Sequence, residues 1–317
     1  MKRTLGVILG TVMLVGLLGV SGVFAAKGND EYRFVIIPKV VHPWFDKVNQ
    51  GAKAEAKLLQ EQTGKKFVID YRAPQKADVV LQNNILEQAA ATKPDGIAID
   101  LLDAAGNKAV LQSVIKQGIP VVIFDSEAPK NMGLTQVGND YSMQARVAAD
   151  RLAKLIGGKG EVAIMQGVPT APNHRLRYLA HKAAFKKYPG IKVVAEGIDN
   201  DSIETAQKQA ASIIAAHPRL KGFVACDAAG PIGIGLAIKE AKKTGKILSV
   251  GLDDLDQLLA LIKEGVVNSS VSTKPMMQGA WSVNALWKKN LGENLPDRID
   301  TGVVIITKDM VSSYKGF

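Results

Sequence analysis

Short apolar runs alternate with longer amphipathic segments along the chain from residue 33 onward. The runs have the length of buried strands, whereas the longer segments carry apolar residues at the spacing of a helical face. Predicted strands lie at 33–37, 67–71, 96–100, 121–125, 134–138, 161–165, 191–196, 222–225, 247–251, 268–273 and 303–306. Predicted helices lie at 44–63, 78–92, 104–117, 141–156, 173–188, 203–216, 231–243, 255–264 and 275–289. This alternation predicts an α/β fold with parallel sheets that are covered by helices on both faces.

The rhythm of strand and helix occurs twice along the chain. It restarts after the glycine-rich segment 157–160, and each half contains enough strands for a doubly wound sheet. Two such units predict two Rossmann-like lobes with a cleft between them. Ligands of open α/β sheets bind at the carboxyl ends of the strands, so the cleft is the expected binding site.

The first residues have the pattern of a secretory signal peptide. Lys2 and Arg3 precede an apolar stretch over residues 5–20, and the small residues around Ala25 predict cleavage near that position. An uncleaved membrane anchor is the alternative, although the apolar stretch is short for a membrane span. The single cysteine, Cys226, lies far from this segment, so we expect neither a lipid anchor nor an internal disulfide.

The chain of 317 residues is basic, with a formal net charge of +10. Its lysines are dispersed, and the adjacent ones form isolated pairs on predicted helices, such as Lys186-Lys187 and Lys242-Lys243. Binding of nucleic acid usually requires a continuous basic patch. The sequence therefore predicts solvated surface charges and no nucleic-acid partner.

Polar side chains gather just after the predicted strands. They are Lys39, His42, Asp100, Asp125, Ser126, Cys226, Asp227 and Asp253, together with Arg175 at the start of a helix. Carboxylates accept paired hydrogen bonds from neighbouring hydroxyls, and arginine or lysine donates to hydroxyl or ring oxygens. Trp44 and Phe45 can stack on the apolar face of a sugar ring. These residue types predict a site for a small polyhydroxylated molecule.

Each of these residues also has a purely structural interpretation. Asp125, Asp227 and Asp253 could cap helices, and Trp44 and Phe45 could pack the core where a helix begins. The prediction therefore depends on the repetition of polar residues at equivalent strand ends.

Three of these candidate residues are weaker when each is taken alone. On pattern, His42 is typical of a surface loop and Arg175 of an exposed helix face. Cys226 has no obvious base partner, which favours a buried thiol over a nucleophile.

Catalytic motifs are absent from the sequence. It contains no G-x-S-x-G elbow, no P-loop and no histidine pair at metal-ligand spacing. The glycine-rich segment 230–235 has the wrong order for a dinucleotide loop and predicts close helix packing instead. We therefore predict no catalytic residue, no metal and no cofactor.

Several short motifs resemble one known family. They are Ile37-Pro38-Lys39, His42-Pro43-Trp44-Phe45, Pro94-Asp95-Gly96-Ile97, Gly118-Ile119-Pro120-Val121-Val122 leading to Asp125-Ser126, Ala216-His217-Pro218, Cys226-Asp227 and Val250-Gly251-Leu252-Asp253. Together they are similar to the periplasmic sugar-binding proteins of ABC transporters that have the ribose-binding-protein (type I) fold. The similarity extends from about Tyr32 to Ile306.

The resemblance implies two lobes that are joined by three crossings and close on a sugar like a hinge. After a signal peptide over 1–25, the N-terminal lobe would comprise 26–138 and 275–300, and the C-terminal lobe 139–274 and 301–317. The implied ligand contacts are Lys39, His42, Trp44, Phe45, Asp100, Asp125, Ser126, Arg175, Cys226, Asp227 and Asp253, with Thr273 near the hinge.

This sequence departs from the ribose-binding pattern at three implied contacts. His42 and Cys226 stand where ribose binders have asparagine, and Ser126 stands where they have arginine. The Ile-Pro-Lys opening with Asp125-Ser126 resembles more closely the branch that binds rhamnose, polyols or autoinducer-2. In that branch the lysine, here Lys39, is expected to touch the ligand.

The function implied is a periplasmic, non-enzymatic, monomeric receptor that captures a small sugar or polyol and delivers it to a membrane ABC permease. An autoinducer-2 or chemosensory receptor of the same fold is an alternative. The effector domain of a sugar-responsive repressor also shares the fold, but it would carry an N-terminal helix-turn-helix where this chain has a predicted signal peptide. An exported enzyme is disfavoured because a catalytic set is missing.

Overall fold

The computed structural model describes residues 29–314, which form two six-stranded sheets with flanking helices. The strands are β1 (Glu31–Ile37), β2 (Lys66–Tyr71), β3 (Gly96–Ile99), β4 (Val121–Phe124), β5 (Thr135–Gly138), β6 (Lys159–Gln166), β7 (Gly190–Ile198), β8 (Leu220–Ala225), β9 (Leu248–Leu252), β10 (Ser269–Ser272), β11 (Arg298–Asp300) and β12 (Val304–Thr307). The helices are α1 (Pro43–Thr63), α2 (Val79–Ala91), α3 (Lys108–Lys116), α4 (Tyr141–Leu155), α5 (Pro172–Phe185), α6 (Ile203–Ala216), α7 (Gly230–Glu240), α8 (Asp256–Glu264), α9 (Pro275–Asn290) and α10 (Lys308–Val311). The predicted signal peptide lies outside the described residues. Within 29–314, no helix combines the length and the apolar run that crossing a bilayer requires.

The two sheets have equivalent strand orders. The first is β11-β5-β4-β3-β1-β2, and the second is β12-β10-β9-β8-β6-β7. All pairs are parallel except β10 and β12, which run antiparallel. The first sheet packs with α1, α2, α3 and α9 to form the N-terminal lobe, and the remaining helices cover the second sheet in the C-terminal lobe. The predicted α/β fold with two doubly wound lobes is confirmed.

The elements differ from the sequence prediction in a few places. Helix α3 begins at Lys108 rather than at residue 104, because Asp103 accepts hydrogen bonds from the backbone N–H groups of Ala105 (2.9 Å) and Gly106 (2.8 Å) and holds a turn there. The edge strand β11 was not predicted, since it has three residues and none of them is buried. The sequence pattern also did not indicate that β12 runs antiparallel.

Local signals set the ends of the early helices. Pro43 occupies the first turn of α1, and the helix ends at Gly64, whose left-handed φ of 70° allows its N–H to bond Gln60 O. The N-cap of α2, Asp78, accepts hydrogen bonds from the N–H groups of Val80 (2.8 Å) and Leu81 (3.0 Å).

Three segments of chain connect the two sheets, and they meet at the buried side chain of Asn139. Its Nδ2 donates to the carbonyl of Gly302 (2.7 Å), and its Oδ1 accepts from Gln278 Nε2 (3.1 Å) and Thr301 Oγ1 (3.3 Å). These partners follow the crossings after β10 and β11, whereas Asn139 follows β5. One amide therefore ties all three crossings together.

Helices α1 and α9 pack with their backbones in contact inside the N-terminal lobe. A Cβ atom added at Gly51 would lie 1.9 Å from Met276 O, and one added at Gly279 would lie 1.9 Å from Val48 O. No side chain fits at either position, so the two glycines are required for this close approach. The contact also positions the start of α1, which carries several residues of the site described below.

We expect Gly279→Ala to destabilise the protein by about 1–3 kcal/mol, because the new methyl group forces the two helices apart. In an uncrowded helix the same change would stabilise by up to about 1 kcal/mol, through helix propensity and a less flexible unfolded chain. Urea unfolding measures the difference. The control is Lys53→Ala on the exposed face of α1, which should change stability by less than about 0.5 kcal/mol. A Gly279→Ala variant as stable as the wild type would contradict the packing argument.

Candidate functional site

A cavity lies between the lobes, where the carboxyl ends of the two sheets face each other, and about 230 Å³ of empty space, part of it open to solvent, lies within its lining. Side chains from both lobes line it. They are Lys39, His42, Trp44, Phe45 and Asp125 from the N-terminal lobe, and His174, Arg177, Asp201, Asp227, Ala228 and Asp253 from the C-terminal lobe. The lining combines carboxylates, cations, imidazoles and aromatic rings, which suits a small polar ligand.

Lys39 is the central cation of this cavity, although its side chain is only 1% exposed. It follows β1, and its Nζ lies 3.2 Å from Asp100 Oδ2 and 3.4 Å from Asp125 Oδ2. Burial disfavours the ammonium, but the two carboxylates outweigh burial and raise the pKa of Lys39 above its ordinary value. Its Nζ also lies 5.6 Å from the centre of the Phe45 ring. Lys39 is therefore a permanent positive charge in the N-terminal wall.

The same lysine reaches the C-terminal lobe. Its Nζ lies 3.4 Å from Asn173 Oδ1 and 3.4 Å from His174 Nε2, both at the start of α5. Asn173 Nδ2 donates in return to Asp125 Oδ2 at 2.7 Å. These contacts join the lobes at the floor of the cavity. They hold the two lobes together in the arrangement that the structure shows.

His174 is held in one orientation. Its Nδ1 accepts a hydrogen bond from the N–H of Val168 (2.8 Å), so the neutral ring carries its proton on Nε2, on the side of Lys39. Burial and, next, the charge of Lys39 lower the pKa of His174 well below its ordinary value. The ring is therefore a neutral hydrogen-bond donor at physiological pH.

Arg177, not Arg175, is the arginine of the site. Its side chain is 2% exposed; Nε donates to Gln144 Oε1 (2.8 Å), and one terminal nitrogen donates to Cys226 O (3.2 Å). Its guanidinium lies 4.8 Å from the centre of the Tyr141 ring and is fixed there. Arg175, which was predicted from the sequence as a ligand contact, is exposed and does not line the cavity, so the structure does not bring it to the site. The reason is helical geometry, because 174 and 177 share one face of α5 and 175 points away from it.

Three of the cavity carboxylates have an uncommon backbone conformation. Asp125, Asp201 and Asp253 follow β4, β7 and β9 with φ values of 48°, 62° and 67°. Non-glycine residues rarely adopt positive φ, although aspartate tolerates it better than most, and such positions concentrate at functional sites. The oxygen Oδ1 of Asp253 is fixed by Thr273, which contacts it through both its hydroxyl and its N–H.

His42, Trp44 and Phe45 have both the structural and the site role that the sequence left open. His42 Nδ1 accepts the N–H of Trp44 (3.1 Å), so the imidazole caps α1 and its ring faces the cavity. The rings of Trp44 and Phe45 pack edge to face, with centroids 5.0 Å apart, and belong to the core cluster. Phe45 also contacts Phe124 of β4. These rings pack the core and line the cavity at once.

Three carboxylates lie close together on the C-terminal side. Asp201 N–H donates to Asp199 Oδ1 (2.9 Å), and Asp227 Oδ1 accepts the N–H of Gly230 (3.1 Å). Burial, and then Asp201, raises the pKa of Asp199 to about 7. Burial and both neighbours also raise the pKa of Asp227. Burial also acts to raise the pKa of Asp201, but His42, His174 and Lys39 outweigh burial, so the pKa of Asp201 is lowered. The group therefore retains a proton near neutral pH.

The other residues predicted from the sequence lie behind the cavity wall. Asp100 pairs with Lys39, Thr273 contacts Asp253, and Cys226 is a buried thiol whose carbonyl accepts from Arg177. Ser126 Oγ accepts the N–H of Leu101 (2.8 Å) and supports the loop after β4. Direct contact between any of these positions and a ligand stays a prediction.

Sequence reasoning missed His174, Arg177 and Asp201. His174 and Arg177 could have been found from the helical face that they share with Asn173. Asp201 gave a weaker signal: it follows the end of β7 by three residues, and only its left-handed backbone turns it into the cavity.

Comparison with known proteins identifies the family. Residues 33–294 match the periplasmic binding protein domain family, and the chain belongs to it. The D-ribose/D-allose-binding protein of Pseudomonas aeruginosa is 25% identical over 302 residues, which cover 93% of each chain. The D-allose-binding periplasmic protein of Escherichia coli is 27% identical over 276 residues, covering 84% of this chain and 86% of its own.

Solved structures agree with this assignment. An ABC transporter solute-binding protein from Burkholderia graminis, in complex with D-arabinose, is 30% identical and superimposes with a TM-score of 0.84, covering 89% of this chain and 97% of its own. The resemblance to periplasmic binding proteins is confirmed. The finer similarity to the rhamnose, polyol and autoinducer-2 branch stays a prediction, since these three relatives are named for, or hold, ribose, allose and arabinose.

We expect the Asp199 carboxyl to make stability fall as the pH rises from about 4 to about 7. The folded protein retains a proton there that the unfolded chain, with an ordinary pKa of 3.8, has already released. Asp199→Asn removes this titration, so its stability relative to the wild type should rise by up to about 1.4 kcal/mol per pH unit in that window. Urea unfolding at several pH values measures this. Asp309→Asn on exposed α10 is the control, and parallel pH curves for Asp199→Asn and the wild type would contradict the assignment.

Proposed function

We propose that this protein is the periplasmic solute-binding component of an ABC transporter and that it captures a neutral monosaccharide or polyol by closure of its two lobes. Family membership supports the receptor role, and the names of the relatives support a sugar ligand. The cavity between the lobes is the binding site in this proposal. The protein acts by binding and not by catalysis.

The observation that carries the proposal is the set of buried polar atoms around the cavity. Asp125 Oδ1, Asp227 Oδ2, His42 Nε2 and one terminal nitrogen of Arg177 have no hydrogen-bond partner among residues 29–314. Buried polar groups are nearly always satisfied, and here acceptors and donors face the same small space. Hydroxyl groups can serve both kinds at once, because each can donate and accept. The rings of Trp44 and Phe45 complete the site with apolar surface.

The charges of the site favour a neutral ligand. The carboxylates that line or back the cavity are Asp100, Asp125, Asp201, Asp227 and Asp253, and the cations are Lys39 and Arg177. Lys39 pairs with two of the carboxylates, and a terminal nitrogen of Arg177 lies 4.0 Å from Asp125 Oδ1, so both cations already lie next to a carboxylate. An acidic or phosphorylated sugar would have to bring its charge into a buried site where carboxylates outnumber the cations, which is costly.

Closure would proceed about the hinge at Asn139. In this proposal residues 26–138 with 275–300 move against residues 139–274 with 301–317. Lys39 and Asp125 lie on one side of the cleft and Asn173 and Arg177 on the other, so a ligand between them gains its full set of contacts only in the closed form. A ligand that binds the closed form better shifts the protein toward it.

The closed form would then deliver its ligand to a membrane permease. Export through the predicted signal peptide would bring the receptor to the periplasm.

We expect neutral sugars, with D-ribose, D-allose and D-arabinose tested first, to raise the melting temperature of the protein. A ligand at 100 times its Kd adds about 2.7 kcal/mol, which corresponds to roughly 5–10 °C for a chain of this size. Thermal-shift measurements with a panel of pentoses, hexoses, polyols and autoinducer-2 test this. D-glucuronate and D-ribose 5-phosphate serve as charged comparators and should give no shift. Stabilisation by these alone would contradict the neutral ligand, and no shift with any neutral compound would count against the receptor.

We expect Asp253→Asn and Arg177→Lys each to weaken binding of the stabilising sugar by about tenfold or more. Asp253→Asn removes a charged acceptor, and Arg177→Lys keeps the charge but removes the planar guanidinium with its fixed donors. Hydrogen bonds to charged groups contribute about 1.5–3 kcal/mol. Isothermal titration calorimetry measures Kd, and circular dichroism checks the fold. Arg175→Lys is the matched control, since it is the same substitution on the same helix at an exposed position. Equal affinity of the Arg177 and Arg175 variants would show that Arg177 is not a ligand contact.

A further inference from the structure

Helix α1 of the N-terminal lobe faces the start of α8 of the C-terminal lobe beside the cavity. The side chain of Lys47 crosses this gap from α1. Lys47 does not line the cavity itself; it lies in a neighbouring groove of about 610 Å³, together with Pro43 and Gln50 from α1 and Leu255 and Asp256 from the other lobe. The groove is formed by both lobes, so it exists only when they are close together.

Lys47 makes three polar contacts with the opposite lobe. Its Nζ donates to the carbonyl oxygen of Asp254 at 2.7 Å and lies 3.7 Å from Asp254 Oδ1 and 3.3 Å from Asp256 Oδ1. The side chain of Lys47 is 19% exposed, and that of Asp254 is fully buried. This is more than a surface ion pair, because a backbone carbonyl and a buried carboxylate both receive the ammonium.

Asp254 is held in place for this contact from within its own lobe. Tyr314 Oη donates to Asp254 Oδ2 at 2.7 Å and lies 3.3 Å from Ser272 Oγ, next to the crossing after β10. Among the described residues, Asp254 Oδ1 has no hydrogen-bond partner, so Lys47 is the group that compensates its charge. Burial raises the pKa of Asp254, and the charge of Lys47 opposes that rise. The carboxylate is therefore fixed and oriented toward the other lobe.

The remaining contacts between the lobes differ in kind. Lys39 and Asn173 meet inside the cavity, where a ligand contacts the same groups. A small apolar cluster joins Leu102 of the N-terminal lobe to Val168 and Ala171 of the C-terminal lobe. Within residues 29–314, Lys47 makes the charged contact between the lobes that lies outside the cavity. Because it is made in only one of two lobe arrangements, it shifts the balance between them.

We propose that Lys47, with Asp254 and Asp256, forms a latch that holds the lobes closed and sets the affinity and lifetime of the bound ligand without touching it. The inference rests on the proposed function, since the effect on affinity requires that the ligand binds the closed form. The apparent affinity then scales with the fraction of protein that is closed. Loss of the latch should speed ligand release and leave the contacts within the cavity intact.

The test uses Lys47→Met, which keeps the length and apolar stem of the side chain and removes its charge. Lys57→Met is the matched control, because Lys57 lies on the same helix with a side chain that is 79% exposed. Lys47→Arg retains the charge and the reach, so it should behave like the wild type. Nitroxide labels at Glu87→Cys and Lys208→Cys, one exposed position in each lobe, report the distance between the lobes. The native Cys226 is buried and will not compete for the label.

Pulsed electron–electron double resonance without sugar and over a titration with D-allose gives the closed fraction, and stopped-flow measurement gives the release rate. We expect Lys47→Met to lower the ratio of closed to open protein by about tenfold, to raise Kd for D-allose by up to the same factor through faster release, and to respond less to salt than the wild type. The Lys57→Met and Lys47→Arg variants should match the wild type.

The outcomes separate the latch from the proposed function. If D-allose does not bind but Lys47→Met still shifts the sugar-free distances toward open, the latch stands and the ligand assignment is at fault. If D-allose binds and Lys47→Met leaves distances and release unchanged, the latch is wrong and the receptor stands. A wild type that is open at every sugar concentration, or a Lys57→Met variant that shifts like Lys47→Met, would also overturn the latch.

Discussion

The buried ammonium of Lys39 is the interaction on which the site depends, because two carboxylates at the ends of neighbouring strands, Asp100 and Asp125, could not be buried together without it. The same ammonium lies within reach of Asn173 and His174 in the other lobe. A single charge therefore stabilises the N-terminal wall and aligns the C-terminal one. The positions of the cavity side chains therefore depend on the contacts that Lys39 makes with both lobes.

The fold brings the contact residues of Lys39 and the other cavity residues together. Each lobe presents the carboxyl ends of its parallel strands to the cleft, so residues that follow β1, β4, β8 and β9 converge although they are far apart in sequence. The crossings are tied together at Asn139, which is where the proposed closure would have its hinge. Strained backbone at Asp125, Asp201 and Asp253 aims their side chains, and the surrounding lobe maintains that conformation. Rigid lobes, a single hinge and a polar cavity together suit capture by closure.

Much of this architecture was predictable, because strand and helix periods and the residues that end each element are local signals. The first and last residues of most elements were predicted to within a few positions, as for α2, which was predicted over 78–92 and is formed by Val79–Ala91. The loops after strands were also recognised as sources of polar groups, and these supplied Lys39, Asp125, Asp227 and Asp253. The sequence prediction differed from the structure where the direction of a side chain decides whether a residue reaches the cavity. Arg175 and Arg177 are both arginines near the start of one helix, and only packing determines which of them is buried.

By itself, the sequence determined the alternation of strands and helices, the two repeated halves, the predicted signal peptide and the chemical character of the strand-end loops. These are properties of neighbouring residues and of their order. The tertiary structure alone decided which side chains meet across the cleft: that Lys39 reaches Asn173, that Lys47 reaches Asp254, and that Asp201 joins the site. The physical reason is that these contacts link residues more than 100 positions apart. These contacts form only when the two lobes pack together, and a local sequence pattern does not predict how they pack.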